Sequence, residues 1–250
     1  MKLLDAHNHI QSGGSGFCGT SGVMCVCNGT CAADWEDTAE VYRTFPASVI
    51  PYFGVHPWFA DNLPGGWETE LRRMLEEFPF GIGEIGLDRS KRGADTDVQK
   101  RIFVKQLETA SDMELPVSIH CVRAWGMMTD ILKDICGASG IPFMMHSFSG
   151  SLETMERLAV LGGYFSFGPG LLDSSNTKLR DLFGRVPLNR ILLETDFPPQ
   201  SGIVSEKEYG DVLREMYSTG SALKGMELPE FIGVINDNGK IFTDGTSHRQ

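Results

Sequence analysis

Residues 4–10 read LDAHNHI, an apolar start that runs into two histidines two positions apart. On an extended strand such neighbours point to the same side, so His7 and His9 can grip one ion from a single strand end. The same design recurs along the chain, with Glu84 in IGEIGLD, His120 in PVSIHC, His146 in FMMHSFSG and Asp196 in ILLETDFPP. Four of the six histidines fall at these strand ends, and a fifth, His56, stands in the similar setting YFGVHPW.

Outward from these segments, short apolar runs alternate with amphipathic ones, the rhythm of strand, crossover helix, strand. The pattern predicts strands over 2–8, 22–28, 49–55, 80–86, 115–120, 141–146, 163–168 and 190–195, and helices over 67–78, 95–113, 124–136 and 151–161. The clearest helix gathers Trp67, Leu71, Met74, Leu75 and Phe78 into one apolar stripe. Eight strands with such crossovers select an α/β fold, a single (β/α)8 TIM barrel occupying residues 1–250 as one domain. The carboxyl ends of its strands converge on one mouth, where all the candidate residues then lie. The first crossover is the exception: QSGGSGFCGTSG at 11–22 is too rich in Gly and Ser for a helix and is expected to be an open loop.

Composition is that of an ordinary globular protein, with no low-complexity run or block of like charge. The start, MKLLDAHNHI, lacks the apolar core of a signal peptide, and no stretch approaches the ~18 apolar residues of a membrane span. A soluble cytoplasmic protein with no membrane association and no protein partner is expected. The net charge of −11 repels polyanions and argues against a broad nucleic-acid groove. Phosphodiesters remain open to it, because two bound divalent cations return about four positive charges to the place where a phosphate must sit.

Cys18, Cys25, Cys27 and Cys31 crowd into a short stretch. A structural zinc or redox switch is one reading. The spacing lacks the paired CxxC knuckles of tetrahedral sites, so a reduced strand and loop is the better one. Cys121 and Cys136 read as buried thiols.

Four imidazoles and two carboxylates are too many ligands for one four-coordinate ion, but they suit two ions sharing a carboxylate and a water. His7, His9 and Asp196 are expected to hold one, His120 and His146 the other, with Glu84 bridging. Bridging hydroxide is the nucleophile expected of such a pair, and Asp196 the group that takes its proton. Imidazole and carboxylate without thiolate suit zinc or manganese and accept magnesium at an oxygen-rich position. The same residues facing one another with no cation would leave costly unmatched groups. Asp5 and Glu194 each precede a ligand by two, so they are expected to share its face and orient its imidazole; polar packing in the barrel is the alternative, and Asp88 is open between the two roles. Ser147 and Ser149 can donate to a phosphate oxygen or cap the following helix. His248 is expected to be solvated.

The blocks DAHNHI (5–10), GVHPW (54–58), GEIGLD (83–88), PVSIH (116–120), MHSFSGS (145–151) and LLETDFPP (192–199) together resemble the TatD-type metal-dependent hydrolases of the amidohydrolase superfamily. The resemblance spans most of residues 3–200 and, through NDNGKIF, extends weakly to the family's closing helix. It implies a TIM barrel, a binuclear divalent site on the six residues named, and hydrolysis of phosphoester bonds, commonly in DNA. It also tips His56 towards substrate contact. Two departures stand out. The family's arginine two residues after the strand 5 histidine is replaced here by Arg123, three after His120, and the family's helix after the first strand is replaced by the Gly/Ser loop.

A deoxyribonuclease-type phosphodiesterase is therefore the first expectation, with Asp196 and Glu84 at the reacting centre and His56, Arg123, Ser147 and Ser149 on the substrate. A hydrolase of small esters, lactones or amides keeps the same metals and changes the bond. A silent scaffold on an old barrel would have shed ligands, and none is missing.

Overall fold

The computed structural model describes residues 2–12, 22–90, 94–197 and 205–244. The Gly/Ser loop read from the sequence falls largely outside them, as do Cys18 and His248. Eight strands are described: β1 Leu3–Asn8, β2 Val23–Asn28, β3 Val49–Tyr52, β4 Ile82–Asp88, β5 Val117–Val122, β6 Phe143–Met145, β7 Tyr164–Phe167 and β8 Ile191–Leu193. Every pairing is parallel, in two arcs ordered β1-β2-β3 and β4-β5-β6-β7-β8. The ladder is not continuous around the ring. A few backbone bonds span its seams: Phe53 N–H donates to the Gly81 carbonyl (3.3 Å) and Gly83 N–H to that of Phe53 (3.2 Å), while Asp196 N–H donates to that of His7 (3.0 Å). Strands buried on both faces need near-continuous apolar runs, as in ILL, YFSF and FMM.

The helices are α1 Trp35–Thr44, α2 Trp67–Glu77, α3 Thr96–Met113, α4 Trp125–Ser139, α5 Leu152–Val160, α6 Thr177–Arg185, α7 Glu206–Lys224 and α8 Leu228–Thr243. Four match the periodicity to within a few residues. Of the other four, α8 is met only by the weak echo in NDNGKIF, and side-chain caps mark where α6 and α7 start. Asn176 accepts from Leu179 N–H (3.3 Å) at α6, and Ser205 accepts from Glu208 N–H (3.3 Å) while its hydroxyl donates to the Glu208 carboxylate (2.6 Å) at α7. α8 hides in the sequence because Gly239 interrupts it. A Cβ at 239 would overlap the Leu4 side chain, so glycine is what lets α8 lie against β1. From there Phe242 reaches the rings of Tyr52 and Tyr164 (centroids 6.1 and 5.7 Å) and closes an apolar cluster with Leu4, Ala6, Val26, Met144 and Leu192.

Two strands carry an extra residue. β1 advances from Asp5 to Asn8 while β2 advances from Cys25 to Cys27, and β4 advances from Ile82 to Ile85 while β5 advances from Val117 to Ile119. Each bulge re-aims the side chains beyond it. In β1 this leaves Asp5 in reach of the His7 backbone N–H (3.4 Å) but of neither imidazole, and the expectation that Asp5 orients an imidazole is corrected to the alternative of polar packing in the barrel. Its carboxylate also accepts from Thr195 N–H (2.8 Å), the Thr195 hydroxyl (2.6 Å), the Tyr209 hydroxyl (2.8 Å) and the Asn8 amide (3.0 Å). Burial pushes this carboxyl up to about 6 against the pull of those donors. Asp5 thus ties β1 to the segment after β8 and to α7.

Cys25 and Cys27 are buried in β2, and Cys31 is partly buried. Burial pushes the thiols of Cys121 and Cys136 up to about 12, as expected of inert core cysteines. Among the described residues no helix is long and apolar enough to cross a membrane.

Replacing Asp5 by Ala removes the acceptor of five buried donors and is expected to cost about 2–4 kcal/mol. Urea unfolding of the cation-free protein measures this, and an unshifted midpoint would show that Asp5 does not brace the seam.

Candidate metal centre

The two bulges, with the segments after β3, β6 and β8, gather His7, His9, His56, Glu84, His120, His146 and Asp196 at the mouth. Glu84 is at the centre, buried to 3% exposure. Its Oε2 lies 3.1 Å from His9 Nε2 and 3.5 Å from His7 Nε2; its Oε1 lies 2.9 Å from His120 Nδ1, 3.4 Å from His146 Nε2 and 3.5 Å from His56 Nε2. Asp196 Oδ1 adds approaches of 3.8 Å to His7 and 3.6 Å to His9. Three overlapping sets could each hold an ion: His7, His9 and Asp196; His7, Glu84 and His146; His56, Glu84 and His120.

Tautomers decide which rings are ligands. The far nitrogen of His9 meets the Asn28 carbonyl (Nδ1, 2.7 Å), that of His146 meets Glu194 Oε1 (Nδ1, 3.0 Å) and that of His120 meets Asp88 Oδ2 (Nε2, 3.3 Å). A carbonyl or carboxylate only accepts, so each of those nitrogens carries the proton. The nitrogen facing Glu84 is then a lone pair whenever the ring is neutral. Three lone pairs aimed at one carboxylate repel it unless something positive lies between, and Glu84 Oε1, despite its short approach to His120, has no aligned hydrogen-bond partner. The donor set therefore fits divalent cations. His7 Nδ1 lies 2.8 Å from the Ser118 hydroxyl, which suits either tautomer.

His56 is arranged the other way. Its Nδ1 accepts from Trp58 N–H (3.2 Å), so the neutral ring carries its proton on Nε2 and faces the site as a donor. Burial drives His56 down to about 3, which keeps it neutral. The set containing His56 is accordingly a weak ligand set despite its distances.

Protons take the cations' place in the cation-free protein. Burial opposes charge on His146, but Glu194, Glu84 and Asp196 outweigh it and push the ring up to about 10. His9 and His120 are likewise raised against burial, His9 chiefly by Glu84 and His120 by Asp88 and Glu84. Glu84 is held well below the carboxylate range because the surrounding imidazoles, the raised His146 and His120 above all, overcome its burial. His7, buried beside His146, is lowered. Glu84, Asp88, Asp196 and Glu194 put four carboxylates against these rings, a charge that two divalent cations balance.

A cavity of about 510 Å³ opens over the cluster, lined by His9, His56, His120, His146, Glu84 and Asp196 together with Trp58, Phe59, Ser147, Ser149 and Gln11. A larger hollow of about 690 Å³ lies between α2 and α3 and contains none of the histidines. Ser151 caps α5 by accepting from Thr154 N–H (3.1 Å), which leaves the exposed hydroxyls of Ser147 and Ser149 free to face the cavity. Arg123 is exposed and does not line it. Glu194 orients His146 as expected, also accepting from Ser147 N–H (2.8 Å) and the Ser166 hydroxyl. Asp88 resolves as a brace for His120, itself held by Trp58 Nε1–H (2.6 Å). Asn28 and Ser118 were not legible as part of the site, since a backbone carbonyl and an isolated Ser carry no pattern, and Trp58, although it closes the GVHPW block, was given no role.

The family model for TatD-related DNases matches residues 4–243. A metal-dependent hydrolase of Bacillus subtilis, YabD, described as uncharacterized, is 31% identical over 70% of this chain and 68% of its own. The 3'-5' ssDNA/RNA exonuclease TatD of Erwinia tasmaniensis is 31% identical over 72% of this chain and 69% of its own. Among solved structures, the TatD homologue YjjV of Escherichia coli superposes with a TM-score of 0.84 at 22% identity, covering 97% of this chain and 98% of that one.

Cations compete with protons for the imidazole nitrogens, and His9, His120 and His146 hold a proton more tightly than a free imidazole does. Affinity for Zn²⁺ or Mn²⁺ is therefore expected to rise with pH, by up to about tenfold per unit for each proton displaced. Calorimetry in buffers of different ionisation enthalpy reads the release directly; pH-independent binding without release would contradict it. The sign for stability is opposite. A ring raised from 6.5 to about 10 in the folded state stabilises the cation-free fold below pH 6.5, and this is lost as pH climbs towards 10.

Proposed function

The chain belongs to the TatD-related DNase family, and from that membership we propose that residues 1–250 act as one catalytic barrel, a two-metal phosphodiesterase acting on DNA or a related phosphodiester. The observation that supports it most is Glu84, a buried carboxylate with ligand-tautomer imidazoles against both its oxygens. In this reading His7, His9 and Asp196 hold one divalent ion, His120 and His146 the other, and Glu84 joins them; zinc, manganese or magnesium each suits this donor set. Bound there, the ions supply Lewis acidity towards the phosphate and make water acidic enough to react near neutral pH.

The residues have separable tasks. Glu84 stays ionised and fixes the spacing of the two ligand groups. Glu194 and Asp88 lock the rings of His146 and His120, so no reorganisation is needed when charge develops. Asp196 has the most exposed carboxylate of the cluster, 30% by side chain, and takes the proton of the attacking water. His56 donates from Nε2 to a non-bridging phosphate oxygen, and the hydroxyls of Ser147 and Ser149 donate from the facing wall. A hydrolase of small esters or lactones is the second reading, favoured by the lack of any Lys or Arg among the described residues lining the cavity.

Metal-loaded protein is expected to hydrolyse single-stranded DNA and bis(4-nitrophenyl) phosphate. Glu84→Ala should lower turnover by about a thousandfold or more, reduce bound metal by elemental analysis, and leave the far-UV circular dichroism intact. Turnover confined to a chromogenic lactone would overturn the phosphodiesterase reading, and full activity in the variant would remove Glu84 from the centre.

A further inference from the structure

Arg89 and Arg123 stand side by side on the rim between β4 and β5. The strands pair in register through Asp88 and Val122, and Arg89 N–H donates to the Val122 carbonyl (2.9 Å), so each arginine is the first residue beyond that couple. Both side chains are exposed and neither meets a carboxylate among the described residues. The adjacent acid, Asp88, is buried and taken up by Trp58, Ser90 and His120. Six other exposed arginines are paired, Arg43, Arg72, Arg73, Arg157, Arg185 and Arg214 each approaching a carboxylate at 2.6–3.5 Å, while Arg101 is exposed without such a partner among the described residues but stands alone, away from the mouth. Arg123 also sits at φ 56°, a left-handed backbone that a side chain adopts only at a cost.

Like charges side by side repel, and in a chain of net charge −11 there is no shortage of acids to pair them. The arrangement becomes favourable when an anion arrives from outside. His120, Cys121 and Val122, the residues just before Arg123, line the cavity, so the rim is continuous with the mouth.

We propose that Arg89 and Arg123 form an anion subsite that holds backbone phosphates of a single-stranded nucleic acid beyond the phosphate being cleaved. This rests on the phosphodiesterase reading and adds a binding path to it. The cavity takes the reacting end while the rim holds the strand that trails from it, through contacts that carry charge but no sequence information. It also accounts for how an acidic protein retains a polyanion.

The test is fluorescence anisotropy of labelled single-stranded DNA about eight nucleotides long, with the full-length protein in EDTA, from roughly 50 to 200 mM salt. Arg89→Ala with Arg123→Ala should weaken binding at least tenfold at low salt and flatten the plot of log K against log salt by about 1.4, or ~0.7 for each phosphate no longer neutralised. Arg89→Lys with Arg123→Lys keeps both charges and should keep the slope. An unchanged affinity and slope in the alanine pair would overturn the subsite, as would absence of binding by the wild type, or displacement of the DNA by polyglutamate at matched charge and ionic strength. Hydrolysis of bis(4-nitrophenyl) phosphate by the metal-loaded wild type is followed in parallel. Its absence counts against the phosphodiesterase reading, whereas its presence alongside unchanged DNA binding in the alanine pair counts against the subsite alone.

Discussion

Glu84 meets imidazole nitrogens on both its oxygens inside a buried cavity, and the rest of the mouth is organised by that confrontation. Partners on the far side of His9, His120 and His146 fix each ring so that its lone pair faces the carboxylate. Such a cluster holds together only with positive charge inside it. In the cation-free protein the charge is protons, and the raised rings of His9, His120 and His146 express this. With divalent cations the same lone pairs become ligands. The site is thus held by charge rather than by packing, and its stability and its chemistry depend on the same occupant.

The barrel supplies the geometry through departures from regularity. An extra residue in β1 and another in β4 turn His7, His9 and Glu84 towards the mouth. Among the described non-glycine residues with positive φ, Arg123, Ser147 and Asp196 all lie just beyond strands at this end, after β5, β6 and β8. Backbone strain therefore collects at the mouth, where the titratable cluster and its cavity lie. At the opposite end α8 seals the interior with Phe242, and Gly239 gives it room to do so.

Much of this was legible in the sequence because the barrel repeats one unit. Apolar runs of strand length mark all eight strands, and the titratable residues at their ends mark the mouth. What escaped was set by contacts distant in sequence. Asp5 precedes His7 by two and shares its face on a regular strand, but the bulge that breaks this parity leaves no mark in LDAHN. The roles of Asn28 and Ser118 depend on a backbone carbonyl and on one hydroxyl among many. α8 was obscured by two glycines and two asparagines, residues that disfavour an isolated helix but are accommodated here by packing against β1 and by Asn238 donating to the Leu188 and Ile191 carbonyls (both 2.9 Å).

The proposed role of Glu84 is to join two cations held by opposite groups of imidazoles. Anomalous scattering from crystals grown with Mn²⁺ locates such ions without reference to activity. The account predicts two peaks about 3.5–4 Å apart flanking the Glu84 carboxylate, one against His7, His9 and Asp196 and the other against His120 and His146. A single peak away from Glu84, or none at saturating Mn²⁺, would contradict it.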